Sequence, residues 1–270
     1  MKPKLKKNKI SIITATFNSE KTIEDTLKSV LSQTYDNYEH IIIDGKSTDN
    51  TLKIIKKYEK RYNGKLKYIS ENDKGIYDAM NKGIKMASGD IVGLLNSDDK
   101  YFDTKVLEVI NNKINEDKLD GVYGNLLYVD EQTMTIPRRE WISGIGKINS
   151  GWMPAHPTLY LNKKIYDNIG LYNLDYKIVA DYDFIIRLFK IEQYKIGYIN
   201  KNLILMRIGG ASSAGIKGYI KNIKEAHKSL RKNKVGFPGA TIIIFIRIIK
   251  TIFQYIGAKI ISRKGIKNEN

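Results

Sequence analysis

The chain contains no cysteine in 270 residues. Disulfide scaffolds, thiol nucleophiles and cysteine zinc sites are therefore excluded together, and the lack of disulfides fits a reducing cytoplasm. Histidine is almost as scarce. His40, His156 and His227 are the only three, too few for a histidine-rich metal centre. No GxGxxG follows the first apolar run and no GxxxxGK[ST] occurs, so neither a dinucleotide fingerprint nor a P-loop is present. Acidic residues are scarce only at the ends. The formal charge is +17, but residues 1–9 carry five lysines and no acid, and residues 201–270 carry 15 Lys/Arg against Glu225 and Glu269. Residues 10–200 then sum to −1. A nucleic-acid-reading surface needs its basic residues on the body of the protein, so no nucleic-acid partner is expected. Basic ends on a neutral body suit an anionic surface instead.

Long uninterrupted apolar runs are also missing. The run at 10–17 is short and broken by Ser11, Thr14 and Thr16, a poor signal peptide. Residues 240–262 are long enough to span a bilayer but contain Arg247, Lys250 and Lys259. At 100° per residue, Arg247, Lys250, Thr251, Gln254 and Ala258 form one stripe, with Ile and Phe covering the rest. That pattern suits a helix lying in a membrane interface. A helix at 217–232 with Lys217, Lys221, Lys224, Lys228, Arg231 and Lys232 would add a basic face beside it. The alternative is that residues 242–256 pack on the domain or on a second subunit, making a homodimer.

Hydrophobic residues make up 42% of the chain, enough for a sizeable core. Strands at 10–14, 40–43, 65–70 and 91–95 alternate with helices at 19–33, 49–61 and 77–87. Ser47 reads as the cap of the second helix. This alternation predicts an α/β fold, with right-handed crossovers and a mostly parallel sheet flanked by helices. Such sheets bind ligands beyond the carboxyl ends of their strands. Polar residues fall there four times: Thr14, Thr16 and Asn18; Asp44; Glu71 to Asp73; Asn96 to Asp99. Asp98 and Asp99 repel one another unless a cation or hydrogen-bond donors neutralise them. Oxygen ligands without His or Cys favour Mg²⁺ or Mn²⁺ shared with a phosphate.

Later, a helix at 103–114 and a strand at 121–129 are expected, followed by irregular chain at 130–155 suited to an acceptor surface. Asp181 and Asp183 open an amphipathic helix, where acids are favoured by the helix dipole. Arg207 could pair with a phosphate or simply with a nearby acid.

The stretches ISIITATFNSEKTIEDTLKSVLSQTY, HIIIDGKSTDNT, ISENDKGIYDAMNKGIKMASGDIVGLLNSDD, PAHPTLYLNKKIYDNIGLY, ADYDFIIRL and MRIGGASS resemble family 2 glycosyltransferases of the GT-A fold. The likeness is strongest to the bacterial O-antigen, colanic-acid and capsule branch. It implies a catalytic domain at 10–215, with a nucleotide-sugar half at 10–100 and an acceptor half at 101–215, a basic arm at 1–9 and a membrane-associating tail at 216–270. By that resemblance Thr14, Ala15, Thr16, Asn18, Asp44 and Asp98 would contact the nucleotide. Asp73 would lie beside the base, and Asn81 would sit on the helix packed against the nucleotide. Asp99, with Asp98, would hold Mn²⁺ or Mg²⁺, whereas Asn96 stands where many relatives carry a further aspartate. Asp181 would be the catalytic base, Asp183 the reserve, and His156 would touch the diphosphate or the acceptor.

The implied activity is inverting transfer from a UDP-sugar to a polyprenyl-diphosphate-linked saccharide, at the cytoplasmic face of the cell membrane. A sugar-1-phosphate nucleotidyltransferase uses a similar sheet but opens with a Gly-rich phosphate loop and a Lys/Arg signature, which ISIITATFN lacks.

Overall fold

In the computed structural model, which describes residues 5–208, 215–235 and 239–246, the central strand is β1 (Ile10–Thr16). It is buried along its whole length and pairs in parallel with β2 (Tyr38–Asp44) on one side and β4 (Ile91–Leu94) on the other. β3 (Leu66–Ser70) extends the sheet beyond β2. Successive strand side chains point to opposite faces. Ile10 and Ile12 therefore join one core with Ile23, Leu27 and Val30 of helix α1 (Ile23–Leu31). Ile13 and Ala15 join the other with Ala79, Met80 and Ile84 of α3 (Ile76–Met86). A strand buried on both faces is what a parallel sheet covered by helices requires.

The first helix begins at Ile23 rather than at 19. The Ser19 carbonyl accepts the N–H groups of Thr22 and Ile23, making a turn ahead of the helix. Helix α2 (Thr51–Tyr58) runs on into a 3₁₀ turn at Glu59–Tyr62. Ser47 does not cap it. The Ser47 hydroxyl instead donates to Asp44 at 2.5 Å and accepts the Asn18 N–H at 2.8 Å.

Beyond β4 the sheet becomes mixed. The short β5 (Lys100–Tyr101) leads into α4 (Val106–Glu116) and then β6 (Gly121–Val129). Residues 130–155 hold one short strand, β7 (Pro137–Trp141), paired with β6. β8 (Tyr160–Asn162) runs antiparallel to both β4 and β6. After α5 (Lys163–Ile169) and α6 (Ala180–Phe189), β9 (Ile196–Arg207) pairs in parallel with β6, and β5 closes the edge. The order is β3-β2-β1-β4-β8-β6-β9-β5.

Helix α7 (Gly215–Lys232), expected to start a separate tail, is packed into the body. Ala226 and Leu230 lie in the core with Phe184 and Ile185 of α6, and Ser229 and Asn233 both donate to Asp183 at 2.9 Å. Residues 240–246 are helical, and Ile243 and Ile244 are buried in the same core. The remainder of the expected amphipathic stretch, 247–262, lies outside the described residues. Among the described residues no helix is long and apolar enough to cross a membrane. Nor are the described lysines of the basic arm free. Lys6 and Lys9 pair with Asp90 and Glu39 at 3.3 and 3.1 Å, and Lys7 pairs with Asp36.

His40 on β2 is fully buried. Its Nε2 lies 2.9 Å from the Thr14 hydroxyl and its Nδ1 2.8 Å from that of Tyr62. Burial lowers its pKa to about 3, while the unfolded chain titrates near 6.5. Below pH 6.5 the unfolded state gains a proton that the folded state refuses, so stability falls with acidification. Between pH 6.5 and 5 the wild type should lose about 1–2 kcal/mol more than His40→Gln, read from urea midpoints. Parallel losses would show that His40 is not the group responsible.

Candidate active site

The site is assembled from the carboxyl ends of β1, β2, β3 and β4, as the parallel half of the sheet dictates. At the end of β1 the Thr16 hydroxyl is buried without a hydrogen-bond partner. Phe17 follows with 60% of its surface exposed, then Asn18 at φ 49°. The Asn18 side chain accepts the Thr48 N–H at 2.9 Å, tying the β1 loop to the β2 loop. At the end of β2, Asp44 is buried and accepts from Ser47 N–H, the Ser47 hydroxyl and the Ser70 hydroxyl. Its acceptor capacity is largely used in joining β2 to β3. Asp73 lies directly over Gly45. A Cβ at that glycine would come within 2.6 Å of Asp73 Oδ2 and 3.4 Å of the Phe17 ring, so residue 45 is bare where three loops meet.

The loop after β4 carries the acids. Asp98 is half-buried and Asp99 has no exposed surface. Burial raises the pKa of both, and the neighbouring Asp98 charge raises Asp99 further. Asn96 Nδ2 donates to Asp99 Oδ2 at 3.0 Å, while Oδ1 is buried with no partner. Arg207, at the end of β9, reaches under this loop. It donates to the Asp98 carbonyl at 3.1 Å and to Asp25 at 2.5 Å, and also to the Glu131 carbonyl. Of its two sequence readings, the nearby-acid one describes the contact. Its charge offsets the acids, while its side-chain donors go to carbonyls and Asp25 rather than to either carboxylate of the pair.

An orphaned buried carboxylate oxygen beside a second raised carboxyl is a donor set that suits a hard divalent cation. Among the described residues no three acids or histidines gather into a closed cage. A Mg²⁺ or Mn²⁺ site completed by substrate phosphate needs only one or two carboxylates. The sequence ranked Asp99 first as direct ligand. Of the two, Asp98 is the more exposed, whereas Asp99 carries the oxygen without a partner.

The second half of the chain meets this rim across β4 and β8. Their antiparallel register pairs Gly93 with Tyr160, so the loop leaving β4 lies beside the 3₁₀ turn His156–Thr158 that precedes β8. His156 is buried, its Nε2 2.8 Å from the Tyr172 hydroxyl. Burial lowers its pKa, partly countered by the charge of Asp181. Asp181, half-buried in the first turn of α6, accepts the Tyr77 hydroxyl at 3.0 Å.

Four residues named from the sequence do not face the rim. The Thr14 hydroxyl is spent on His40 and on the Leu95 carbonyl at 2.7 Å. Ala15 belongs to the core beneath α3. The Asn81 amide makes a two-way clamp with the main chain of Tyr172, at 2.9 Å in each direction. Asp183 is locked by Arg187, Ser229 and Asn233, each at 2.9 Å. Sequence reading missed Tyr77 and Tyr172, and gave Ser47 a helix cap in place of its bonds to Asp44. Tyr77 carried a signal, since it is one helical turn from Asn81 and so shares its face. Tyr172 carried none.

Comparison with known proteins shows the family. The profile of glycosyl transferase family 2 matches residues 11–184. A "PGL/p-HBAD biosynthesis glycosyltransferase" of Mycobacterium bovis is 30% identical over 182 residues, 66% of this chain and 69% of the relative. The Methanococcus voltae "Dolichyl N-acetyl-alpha-D-glucosaminyl phosphate 3-beta-D-2,3-diacetamido-2,3-dideoxy-beta-D-glucuronosyltransferase" is 34% identical over 214 residues, 73% of this chain and 66% of the relative. Among solved structures, S. aureus TarS 1-349 in complex with UDP-GlcNAc superposes with TM-score 0.64 at 20% identity, covering 93% of this chain and 79% of that one. The mannosyltransferase PcManGT from Pyrobaculum calidifontis, in complex with GDP-Man and Mn²⁺, gives TM-score 0.63 at 16% identity, covering 88% and 68%. This chain spans 44% of the longer S. aureus TarS chain. The fold is thus the GT-A-like α/β fold of glycosyltransferases. The chain belongs to glycosyl transferase family 2 and is a glycosyltransferase.

The raised carboxyls give a stability test. A group whose folded pKa lies above its unfolded value costs stability as pH rises through the folded pKa. Without divalent cations at pH 8, Asp99→Asn should therefore melt about 2–4 °C higher than the wild type, the gap closing towards pH 4. Scanning calorimetry in chelator decides this. A variant less stable than the wild type at pH 8 would mean that Asp99 is already neutralised within the fold.

Proposed function

We propose that the protein is an inverting, divalent-metal-dependent transferase. It would move a sugar from a UDP-sugar to a polyprenyl-diphosphate-linked saccharide, in assembly of a bacterial surface polysaccharide. The observation that carries this reading is the division of labour between two acids two residues apart. Asp183 is locked by three donors, whereas Asp181 presents an oxygen with no partner among the described residues. Residues 10–100 would bind the donor and residues 101–215 the acceptor. Thr16, Asn18, Asp44 and Asp73 would line the nucleoside, and Asp98, backed by Asp99, would hold Mn²⁺ or Mg²⁺. When bound, the cation supplies positive charge for the departing diphosphate.

Asp181 would take the acceptor hydroxyl proton as that oxygen attacks the anomeric carbon. One carboxylate without a second nucleophile supports single displacement, and so inversion. His156, kept neutral by burial and held by Tyr172, would line the acceptor pocket. Support for a nucleotide-sugar donor and a lipid-linked acceptor comes from the UDP-GlcNAc complex of TarS and the dolichyl-linked substrate in the M. voltae enzyme's name. The Mn²⁺ complex of PcManGT supports a divalent metal.

Asp181→Asn keeps the shape of the side chain, so folding and donor affinity should persist. Turnover should fall by roughly two to four orders of magnitude, the usual worth of a general base. Activity retained in Asp181→Asn and lost in a folded Asp183→Asn would transfer the role to Asp183.

The location would be peripheral, on the cytoplasmic face of the cell membrane. Lys221, Lys224, Lys228, Arg231 and Lys232 are exposed on α7, and Phe245 beside them is 62% exposed. Each basic residue near an anionic bilayer contributes about 1 kcal/mol. Lys221→Glu, Lys224→Glu and Arg231→Glu combined should abolish co-sedimentation with anionic vesicles and leave donor hydrolysis intact. Unchanged sedimentation would assign α7 to another surface, a second subunit included.

A further inference from the structure

Asp181 is held from the nucleotide half of the molecule. Tyr77, 104 residues earlier and in the first turn of α3, reaches two acceptors with one hydroxyl. These are the Ile178 carbonyl at 2.6 Å and Asp181 Oδ1 at 3.0 Å. A phenol has a single hydrogen, so the two acceptors share it. Burial, and then the charge of Asp181, raise the Tyr77 pKa far above its ordinary value. The hydroxyl therefore remains a donor at any working pH. Opposite, Glu225 of α7 accepts the N–H groups of Lys177 and Ile178 at 3.1 and 3.0 Å. The segment leading into α6 is thus gripped between α3 and α7. Among the described residues Asp181 Oδ2 accepts no hydrogen bond.

We propose that Tyr77 is the positioning residue of the general base. Its hydroxyl secures Asp181 through Oδ1 and leaves Oδ2 as the atom that receives the proton. This rests on the reading of Asp181 as base. In the transfer, the acceptor O–H bond breaks and its electron pair forms the bond to the anomeric carbon. The bond from that carbon to the diphosphate oxygen breaks, and its pair leaves with the nucleotide. The proton passes to Oδ2, while Tyr77 keeps its own hydrogen throughout. The groups facing Asp181 are Tyr77 from α3, the neutral His156 ring, Tyr172, and Glu225 from α7 behind Ile178. Tyr77 is the one whose hydroxyl bonds the carboxylate. Because α3 starts just beyond Asp73, whose Oδ1 accepts the Gly75 N–H at 2.8 Å, this contact also links the donor loop to the base.

Tyr77→Phe keeps the ring and removes the donor. A hydrogen bond to a charged group is worth about 1.5–3 kcal/mol, which corresponds to a fall in kcat of roughly 10- to 100-fold. Donor KM should stay within about twofold. The acid limb of kcat/KM should move up by roughly half to one pH unit, because losing the donor disfavours the ionised carboxylate. In an Asp181→Asn background, Tyr77→Phe should have no further effect on kcat. A folded Tyr77→Phe with wild-type kcat and an unmoved acid limb overturns the proposal, as does a lower kcat with an unmoved limb. If Asp181→Asn itself remains active, the base assignment fails instead. Should Tyr77→Phe not fold, 2,3-difluorotyrosine placed at position 77 retains the shape and strengthens the donor. The acid limb should then move down, and an unmoved limb again contradicts the role.

Discussion

The two halves of the site depend on one seam, the antiparallel pairing of β4 with β8, and that seam closes because residue 93 has no side chain. A Cβ on Gly93 would lie 2.0 Å from the ring of Tyr160. The Tyr160 ring occupies the space over Gly93, and its hydroxyl meets that of Tyr101 at 2.7 Å inside the core. From this contact the acid loop leaves one end of β4 while the His156 turn enters β8 beside it. The first and second halves of the chain are therefore joined by sheet register.

Polar burial separates support from site. At the far end of the sheet Glu39 is nearly as buried as Asp99. Burial alone would raise its pKa, but hydrogen bonds from Lys67, Ser11 and Ser88 outweigh that and hold it well below the usual carboxylate range. Asp44 is similarly supplied with donors. For Asp98 and Asp99 burial outweighs the compensation they receive, from Arg207 and, at Asp99, from the Asn96 amide, and their shift runs the other way. Buried polar groups in a folded protein are normally satisfied, so a group left short marks a place where a ligand completes the set. Thr16 and Asp99 are both short, and both stand at carboxyl ends of the parallel strands. Arg207 limits the cost by lying under the acid loop while its own charge is shared with Asp25.

The parallel half of the fold was legible because its signals are local. Unbroken isoleucine runs, helical spacing and polar strand ends placed β1 to β4 and the rim to within a few residues, and β6 matched its expected bounds. The mixed half was less so. β8 has three residues, and its place in the sheet comes from long-range pairing that no local pattern encodes. The site errors share one cause, which is depth and facing. Thr14 and Thr16 project from the same side of β1, yet Thr14 sits one pleat further in, under His40. Asn81 turns to the Tyr172 main chain in the second half of the chain, as Tyr77, one helical turn away, turns to Asp181. Asp181 and Asp183 are two apart on α6 and so point in different directions, one towards Tyr77 and the other into α7. The family motif located the acidic pair, and the helical period was needed to tell its members apart.

In the proposed mechanism, a single base without a second carboxylate nucleophile would commit the chemistry to one displacement at the anomeric carbon. The stereochemistry of the product therefore tests the account more directly than any rate. A UDP-sugar of α configuration and a synthetic lipid-diphosphate saccharide acceptor would be incubated with the full chain, and the new linkage read by one-bond carbon–proton coupling in NMR. A β linkage is the result this site requires. An α linkage would mean double displacement or front-face return, and would contradict the role given to Asp181.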